Sequence, residues 1–273
     1  MRTRQRTRFS RNAFLLFASF LMVAPFLWAL STSFKLPGDV FAYPPRFLPD
    51  PITLNSYVKV TTDIPFPRYL LNSVIVTTMA ICGNLLFNTA AGYALTKQFP
   101  GRRWVVLLFL SCMLIPFQAT IIPAYLITSW LGVLNSYLGI ALPLLSTIIC
   151  IFIFKASFEA VPRSLIDAAR VDGLSEWRII VRIMLPLSKS AIATNVILTF
   201  IWSWNAFLWP LIVIRTSEMQ TLPLGLARFL SVMEDTTGAL FAFVVLVLVP
   251  GLTIFLMAQK EFIRGLTSGA TKG

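Results

Sequence analysis

Long stretches without any charged side chain divide this sequence. Four of them, residues 12–34, 69–96, 190–214 and 236–259, contain 23, 28, 25 and 24 residues. A helix needs roughly 20 residues to cross a hydrocarbon core about 30 Å thick, so each stretch predicts one transmembrane helix. Only 12% of the residues are charged, whereas soluble domains contain about 25%, and this deficit also indicates a lipid environment.

A fifth uncharged stretch, residues 104–154, contains 51 residues and is too long for one crossing. Turn-forming residues near its middle, including Gly132 and Asn135, predict a division into two spans. Pro116 and Pro123 predict an interruption of the first of these, either a kink or a border of a transport route. The chain is therefore expected to be an all-α membrane protein with six transmembrane helices, at about 13–33, 71–95, 104–126, 138–157, 191–214 and 239–259.

Basic residues are concentrated in alternate connections. Of the 23 lysines and arginines, 17 lie in the tail 1–12, the connection after the second span, the segment 155–189 and the tail 260–273. This asymmetry predicts a multi-pass protein of a bacterial inner membrane that is surrounded by lipid and has both termini in the cytosol. It accounts for the net charge of +12, so no nucleic-acid partner is expected. The first apolar stretch exceeds a signal-peptide core of about 7–15 residues and is interpreted as a retained span, and the proline-rich connection 34–70 as an ordered cap rather than a mere linker.

Several kinds of chemistry are missing from the sequence. It has no histidine, and no Asp or Glu lies within a predicted span, which argues against proton coupling without excluding other secondary carriers. The G-x-x-x-x-G-K-[ST] spacing of a phosphate-binding loop is absent, so this chain is not expected to bind ATP or to be an enzyme. Cys82, Cys112 and Cys150 lie inside predicted spans without metal-ligand spacing, and no cofactor or metal site is expected.

Two predicted spans contain side chains with the chemistry of a transport route. Asn84 and Asn88 are four residues apart and share a helix face, where helix packing is the main interpretation and pathway lining the alternative. In the fifth span, aromatic rings can stack on sugar rings and an amide can bond sugar hydroxyls. Core packing is the competing interpretation for these candidates, which are Trp202, Trp204, Asn205 and Phe207.

The segment 159–190, between the fourth and fifth predicted spans, is far more polar than its flanks and is called the polar segment below. Ser164 and Asp167 have the spacing of a capping box, which predicts a helix that begins near Leu165. Gly173 is expected to end this helix in a left-handed conformation.

A second helix is expected after this glycine, capped by Ser175 and ending before Pro186. Ala168 and Ala169 in the first helix present almost no side chain, so another protein could approach their backbone closely. An amphipathic helix that lies on the membrane is the alternative.

The polar segment resembles the EAA motif of ABC-importer permeases, E-A-A-x₃-G-x₉-I-x-L-P. The matching residues are Asp167-Ala168-Ala169, Gly173, Ile183, Leu185 and Pro186, with Asp in place of Glu as the one departure. Further similarity, at 200–210, 220–226 and 262–270, extends over essentially the whole chain to the carbohydrate-uptake permeases related to the smaller membrane subunit of the maltose transporter. The resemblance implies a type I ABC-importer permease fold with a cytosolic coupling helix between helices 4 and 5.

The resemblance also implies a function and a set of partners. The chain would be a permease subunit for a sugar or sugar-like solute: a di- or oligosaccharide, glycerol phosphate or a glucosylated osmolyte. Its partners would be a second homologous permease, a dimer of ATP-binding cassette ATPases that use ATP and Mg²⁺, and an extracytoplasmic solute-binding protein. A secondary carrier and a non-transporting membrane scaffold are the alternatives.

The resemblance assigns roles to three groups of residues. ATPase coupling would fall on Leu165, Ile166, Asp167, Ala168, Ala169, Gly173, Ile183, Leu185 and Pro186. Contact with the solute-binding protein would fall on Glu218, Gln220, Leu222, Pro223, Leu224 and Gly225. The tail 265–272 would reach the ATPase pair.

Overall fold

A computed structural model describes residues 2–232 and 237–270, and over these residues the chain forms helices and connections without a β-strand. The helices are α1 (Arg2–Ser33), α2 (Asn55–Asp63), α3 (Phe66–Ala94), α4 (Arg102–Met113), α5 (Phe117–Trp130), α6 (Tyr137–Ala141), α7 (Ile148–Glu159), α8 (Arg163–Val171), α9 (Glu176–Ile179), α10 (Leu185–Leu187), α11 (Lys189–Trp204), α12 (Leu208–Val213), α13 (Leu222–Val232) and α14 (Thr237–Ala270).

The chain divides into two compact units. One contains Met1–Phe66 and Leu226–Pro250, and the other contains Pro67–Gly225 and Gly251–Gly273. The polar segment and the aromatic residues of the fifth predicted span both belong to the second unit, which therefore contains the candidate functional residues.

Three continuous helices of the described chain are long and apolar enough to cross a membrane. Their qualifying segments are Arg11–Ser33, Phe66–Ala94 and Thr237–Met257, and many of the large apolar side chains on α1 and α14 are exposed, as lipid-facing surfaces require. Three further pairs of helices qualify only when each bent pair is counted as one span, which gives up to six spans over the described residues.

The bent pairs show where the predicted spans depart from straight helices. The prediction 104–126 corresponds to α4 and α5, which meet at 104°. Pro116 has an extended backbone and directly precedes α5, because proline lacks an amide hydrogen and restricts the residue before it. The helix continues through Pro123. The prediction 138–157 likewise becomes α6, a 3₁₀ turn at Leu142–Leu144 and α7, bent by 54°.

The fifth predicted span, 191–214, is also divided. Its main helix, α11, ends at Trp204, and α12 begins at Leu208. On the other side, the arm Glu176–Leu187 meets α11 at 88°.

The polar segment forms the predicted helix–glycine–helix, but its capping differs from the prediction. α8 begins at Arg163 after Pro162 and no side chain caps it, so the capping-box prediction is wrong. Asp167 instead accepts a hydrogen bond from Arg170 Nη1 at 3.2 Å. Gly173 has a φ of +77°, which confirms the left-handed stop.

The second arm of the polar segment is longer than predicted. Ser175 precedes α9, but its side chain makes no capping hydrogen bond. A π-helical turn, Ile180–Met184, connects α9 to α10, and Leu185 donates its amide hydrogen to Ile180 O, five residues back. This shift in hydrogen-bonding register lets the helix continue through Pro186, so the prediction of an end before this proline is wrong.

Two terminal predictions change in extent. Residues 2–12 of the basic tail and the first span share one helix, α1, and the last span and the C-terminal tail share α14 up to Ala270. Residue 1, residues 233–236 and residues 271–273, which include the last two residues of the tail expected to reach the ATPases, lie outside the described residues.

The connection 34–70 has internal order in the part that belongs to the first unit. Lys35 Nζ donates to Arg46 O at 2.7 Å, and the Thr53 amide donates to Phe34 O at 2.9 Å. Its role as a cap stays a prediction.

Candidate functional site

One face of the polar segment is packed into the core of the second unit. Ala169, on α8, is only 5% exposed. The surrounding cluster joins the polar segment to α3, α7 and α11, and each fully buried large apolar side chain in it contributes about 1.5–3 kcal/mol. The other buried members are Tyr93, Phe154, Phe158, Val161, Ile179, Ile180, Met184 and Ala191, and the partly buried ones include Ile166, Ile183 and Leu185.

This packing corrects the contact face predicted for α8. Ala169 faces the core of its own chain and is not available to another protein. Leu165, Ala168 and Val171 are exposed instead, and Val171 is 89% exposed at the end of the helix. These three residues follow one another at three-residue spacing, so they share one side of α8.

A charged cluster attaches both arms of the polar segment to the end of α3. The Glu176 carboxylate accepts hydrogen bonds from the Tyr93 hydroxyl, from Lys97 Nζ at 3.0 Å and from Arg170 Nε at 3.0 Å. The bond from Tyr93, followed by those from Arg170 and Lys97, lowers the pKa of Glu176 from an ordinary 4.5 to about 2. The carboxylate therefore stays ionised at neutral pH and holds three elements together.

A second group of charges fixes the neighbouring helix ends. Glu159 pairs with Lys155 at 2.8 Å and with Arg102 Nη2 at 3.3 Å, and Arg102 Nε donates to Leu95 O at 2.9 Å. Exposed ion pairs contribute only about 0.2–1 kcal/mol each, so the apolar cluster is the main anchor and the ion pairs set its geometry. Between these groups and α8 lies a cleft of about 520 Å³.

No local sequence pattern marked Tyr93, Lys97 or Glu176 as a site residue. The spacing of four between Tyr93 and Lys97 would place them on one face of a helix, but α3 ends at Ala94, before Lys97. Their partner Glu176 is 79 residues beyond Lys97, and no local pattern predicts that pairing.

Asn84 and Asn88 form a buried hydrogen-bonded network. Both are fully buried, and Asn88 Nδ2 donates to Asn84 Oδ1. Ser146 Oγ donates to Asn88 Oδ1 at 2.7 Å, and Thr147 Oγ1 donates to Asn84 Oδ1 at 2.9 Å. Asn84 Nδ2 donates to the Leu144 carbonyl oxygen. The two amides thus form hydrogen bonds with residues 144–147, in the break before α7. This geometry favours the packing interpretation over pathway lining.

The aromatic candidates of the fifth span separate into two groups. Trp202 and Phe207, 37% and 40% exposed, line a pocket of about 230 Å³. Trp204 is 4% exposed and stacks on Phe200 with ring centroids 5.2 Å apart, so it belongs to the core and not to the pocket. Asn205 Nδ2 donates to Ile201 O at 2.8 Å where α11 ends.

The pocket presents aromatic faces without a charged side chain. Such a wall suits a flat, neutral ring more than an ion. Its residues are Phe117, Pro143, Leu144, Trp202, Ala206, Phe207, Leu208 and Trp209.

Of the six residues expected to touch a solute-binding protein, three are buried, and Gln220 and Pro223 are half-buried. Leu222 and Leu224 are buried, and a Cβ atom on Gly225 would lie 2.3 Å from Tyr69 Cδ2. Glu218 is exposed. Of the predicted set, Glu218 is therefore the residue best placed for an external contact. Leu222 and Leu224 are buried, and Gly225 lies too close to Tyr69 to accept a side chain.

The connection 215–225 is attached to the beginning of α3. Asn72 is fully buried, and its Nδ2 donates to Glu218 O and Gln220 O, both at 2.8 Å. Tyr137 donates its hydroxyl to Asn72 Oδ1 at 2.8 Å. Ser73 Oγ accepts the Leu222 amide hydrogen at 2.8 Å. The Asn72 side chain thus uses both of its amide hydrogens and one of the two lone pairs of its oxygen to hold these segments together.

The described residues contain no group of three or more Cys, Asp or Glu side chains placed to hold a metal ion. The described features are the polar segment, two groups of charges and an aromatic pocket within a helical membrane fold. Residues 89–266, which include the polar segment, both groups of charges and the aromatic pocket, match the binding-protein-dependent transport system inner membrane component family, and the chain belongs to that family.

Relatives of this chain are permeases of named uptake systems. The arabinooligosaccharides transport system permease protein AraQ of Halalkalibacterium halodurans is 35% identical over 94% of each chain. The diacetylchitobiose uptake system permease protein DasC of Streptomyces coelicolor is 32% identical over 92% of each. The sn-glycerol-3-phosphate transport system permease protein UgpE of Shigella flexneri is 31% identical over 83% of this chain and 84% of its own.

The fold resembles that of a solved importer. A chain from a bacterial ABC transporter involved in the import of the acidic polysaccharide alginate matches with a TM-score of 0.84 and 24% identity, covering 96% of this chain and 98% of that one. This likeness shows that the chain has the fold of an ABC-importer permease.

Proposed function

We propose that this chain is a permease subunit of an ATP-driven ABC importer that carries a sugar or sugar-like solute across a bacterial inner membrane. The observation that carries the proposal is the two-sided α8: one face is anchored in the core through Ala169, and the other exposes Leu165, Ala168 and Val171. A separate motor subunit can grip such a helix without unfolding it. The proposed orientation, with both termini cytosolic, is supported by the distribution of basic residues.

The proposed assembly contains a second homologous permease, a dimer of ATPase subunits and an extracytoplasmic solute-binding protein. ATP and Mg²⁺ would be bound by the ATPase subunits, and this chain would hydrolyse nothing. The described part of the chain offers no carboxylate cluster for Mg²⁺, and the sequence has no phosphate-binding loop.

Coupling would follow from how the polar segment is attached. When ATP closes the motor dimer, α8 is displaced together with the apolar cluster and Glu176, because these contacts join it to α3 and α7. The residues assigned to coupling include exposed ones, which the motor subunit would grip, and ones packed in the apolar cluster, which anchor the helix. The exposed set contains Leu165, Asp167 and Ala168. The anchoring set contains Ile166, Ala169, Ile183 and Leu185. A ligand shifts a conformational equilibrium only through contacts that differ between states, so rigid attachment is required.

Relatives support sugars as the substrate class. Permeases for arabinooligosaccharides, diacetylchitobiose and sn-glycerol-3-phosphate are all similar to this chain. The uncharged aromatic pocket suits a neutral sugar ring against Trp202 and Phe207. A neutral di- or oligosaccharide therefore fits this chain better than glycerol phosphate, and a glucosylated osmolyte fits equally well.

Reconstitution tests the proposal directly. The chain is assembled with its second permease and its ATPase in proteoliposomes that contain ATP and Mg²⁺, and uptake of labelled sugar is measured with and without the solute-binding protein. We expect uptake only with all components, and none with a non-hydrolysable nucleotide. Uptake driven by an ion gradient without the ATPase would show a secondary carrier and would overturn the proposal, as would saturable ATP hydrolysis by the purified single chain.

A further inference from the structure

Helix α3 is bonded at both ends to segments that have separate roles in the proposed importer. At its beginning, Asn72 and Ser73 hold the connection 215–225. At its end, Tyr93 and Lys97 hold Glu176 of the polar segment. A helix rises about 1.5 Å per residue, so Asn72 and Tyr93 lie about 30 Å apart along its axis.

Between its ends, α3 is packed too closely to slide independently of its neighbours. A Cβ atom on Gly83 would lie 2.6 Å from Leu145 Cδ2, and one on Gly92 would lie 2.8 Å from Phe154 Cβ. The Asn84–Asn88 network adds hydrogen bonds to Ser146 and to the residue after it, just before α7. The helix has no proline between Val74 and Ala94, and it runs without a break from Phe66 to Ala94.

We infer that α3 is the rod that transmits displacement between the polar segment and the connection 215–225, and that Asn72 is the positioning residue at its far end. The inference rests on the proposed function. A movement of α8 toward or away from the ATPases shifts Glu176, then α3, and then the carbonyl groups of Glu218 and Gln220. In the reverse direction, docking of a solute-binding protein near the exposed Glu218 biases the position of α8.

The bonding pattern of Asn72 distinguishes this role from ordinary packing. Both amide hydrogens of its side chain go to backbone carbonyls of the connection, and its oxygen accepts from Tyr137. Because these bonds go to the backbone, the carbonyl groups of Glu218 and Gln220 move with α3 whatever side chains those two positions carry. The connection therefore moves with α3 even where its own side chains point to an external partner.

The test uses the complete transporter in proteoliposomes and measures the ratio of ATPase activity with and without the solute-binding protein. Leu is close to Asn in size, but its side chain cannot hydrogen-bond, so Asn72→Leu removes the two bonds to the Glu218 and Gln220 carbonyl oxygens. The bond of Ser73 to the Leu222 amide and that of Arg68 Nε to Glu218 O remain, so the variant isolates the contribution of Asn72. We expect the stimulation ratio to fall at least about fivefold, the lower end of ordinary coupling between sites. The matched control is Asn195→Leu, a fully buried asparagine of α11 whose amide bonds neither end of α3; we expect its ratio to stay within twofold of wild type in the assembled fraction.

A double-mutant cycle separates transmission from general damage. Asn72→Leu and Glu176→Gln interrupt opposite ends of one rod, so the double variant should lose no more stimulation than the more severe single variant. Independent, multiplicative losses would overturn the inference, as would full stimulation in the Asn72→Leu transporter. Wild-type uptake is measured in parallel: its absence refutes the proposed function itself, whereas normal uptake with an unaffected Asn72→Leu variant refutes only the rod.

Discussion

The carboxylate of Glu176 lies 3.0 Å from the ammonium group of Lys97, although the two residues are 79 positions apart in the chain. This ion pair, together with the Tyr93 hydroxyl, joins the second arm of the polar segment to the end of α3. It makes the geometry of the attachment between the polar segment and α3 depend on one ionised carboxylate.

That dependence predicts a pH effect. The folded-state pKa of Glu176 is lowered from 4.5 to about 2, so the ionised group stabilises the fold above pH 4.5 and this contribution is lost as pH falls toward about 2. In detergent, the melting temperature of the wild type should exceed that of Glu176→Gln by a constant margin between about pH 5 and 7, and the margin should shrink below about pH 4.5. A margin independent of pH down to about 3 would contradict this.

Ala168 and Ala169 give a matched pair for the gripping face. Ala169→Arg places a charge in a packed cluster and should lower the melting temperature, since overpacking alone costs about 1–3 kcal/mol and the unpaired charge adds to this. Ala168→Arg should leave the melting temperature unchanged but should reduce co-purification with the ATPase. Equal loss of stability in both variants would contradict the orientation of α8.

The left-handed backbone of Gly173 leads us to expect that substitutions at this position reduce transport. Its φ of +77° costs an L-residue about 1–2 kcal/mol, and asparagine tolerates this region better than β-branched residues. Transport should therefore decrease in the order Gly173, Gly173→Asn, Gly173→Val, and Gly173→Asp should lie near the asparagine variant unless its charge disturbs the ATPase. Uptake measured at equal membrane levels of protein tests this order, and wild-type uptake by Gly173→Val would refute it.

Variants of Trp202 and Trp204 distinguish a role in the pocket from a role in the core. Trp204→Ala should lower the free energy of unfolding by about 3–5 kcal/mol, as truncation of a buried aromatic ring does. Trp202→Ala should change stability little and should reduce sugar uptake at limiting concentrations of the loaded solute-binding protein. Uptake and melting temperature measured on both variants check the assignment, and unchanged uptake in Trp202→Ala would remove the pocket from the sugar route.

Much of the candidate site was predictable from local patterns. The helix–glycine–helix of the polar segment follows from Gly173 and from the polar composition between two apolar stretches, and the structure confirms it. The interruption of the third span at Pro116 is equally local, because proline acts on its own backbone and on the residue before it.

The predictions that failed depend on what a residue meets in three dimensions. Ser164 and Asp167 have capping-box spacing, yet Asp167 bonds Arg170 and the helix starts earlier, at Arg163. Leu222 and Leu224 were expected on an external surface but are buried. For Asp167, the bond to Arg170 replaces the predicted cap. For the two leucines, burial replaces the predicted external contact.

The helical membrane fold and the polar helix–glycine–helix follow from sequence patterns alone, because stretches without charge and the position of a glycine are properties of the chain in one dimension. The inward position of Ala169 and the outward position of Ala168 depend on the packing of helices, as do the bonds of Asn72 and Glu176 to segments remote in sequence. Burial and hydrogen bonding are set by which helices pack together, and which face of a helix is buried depends on its neighbours.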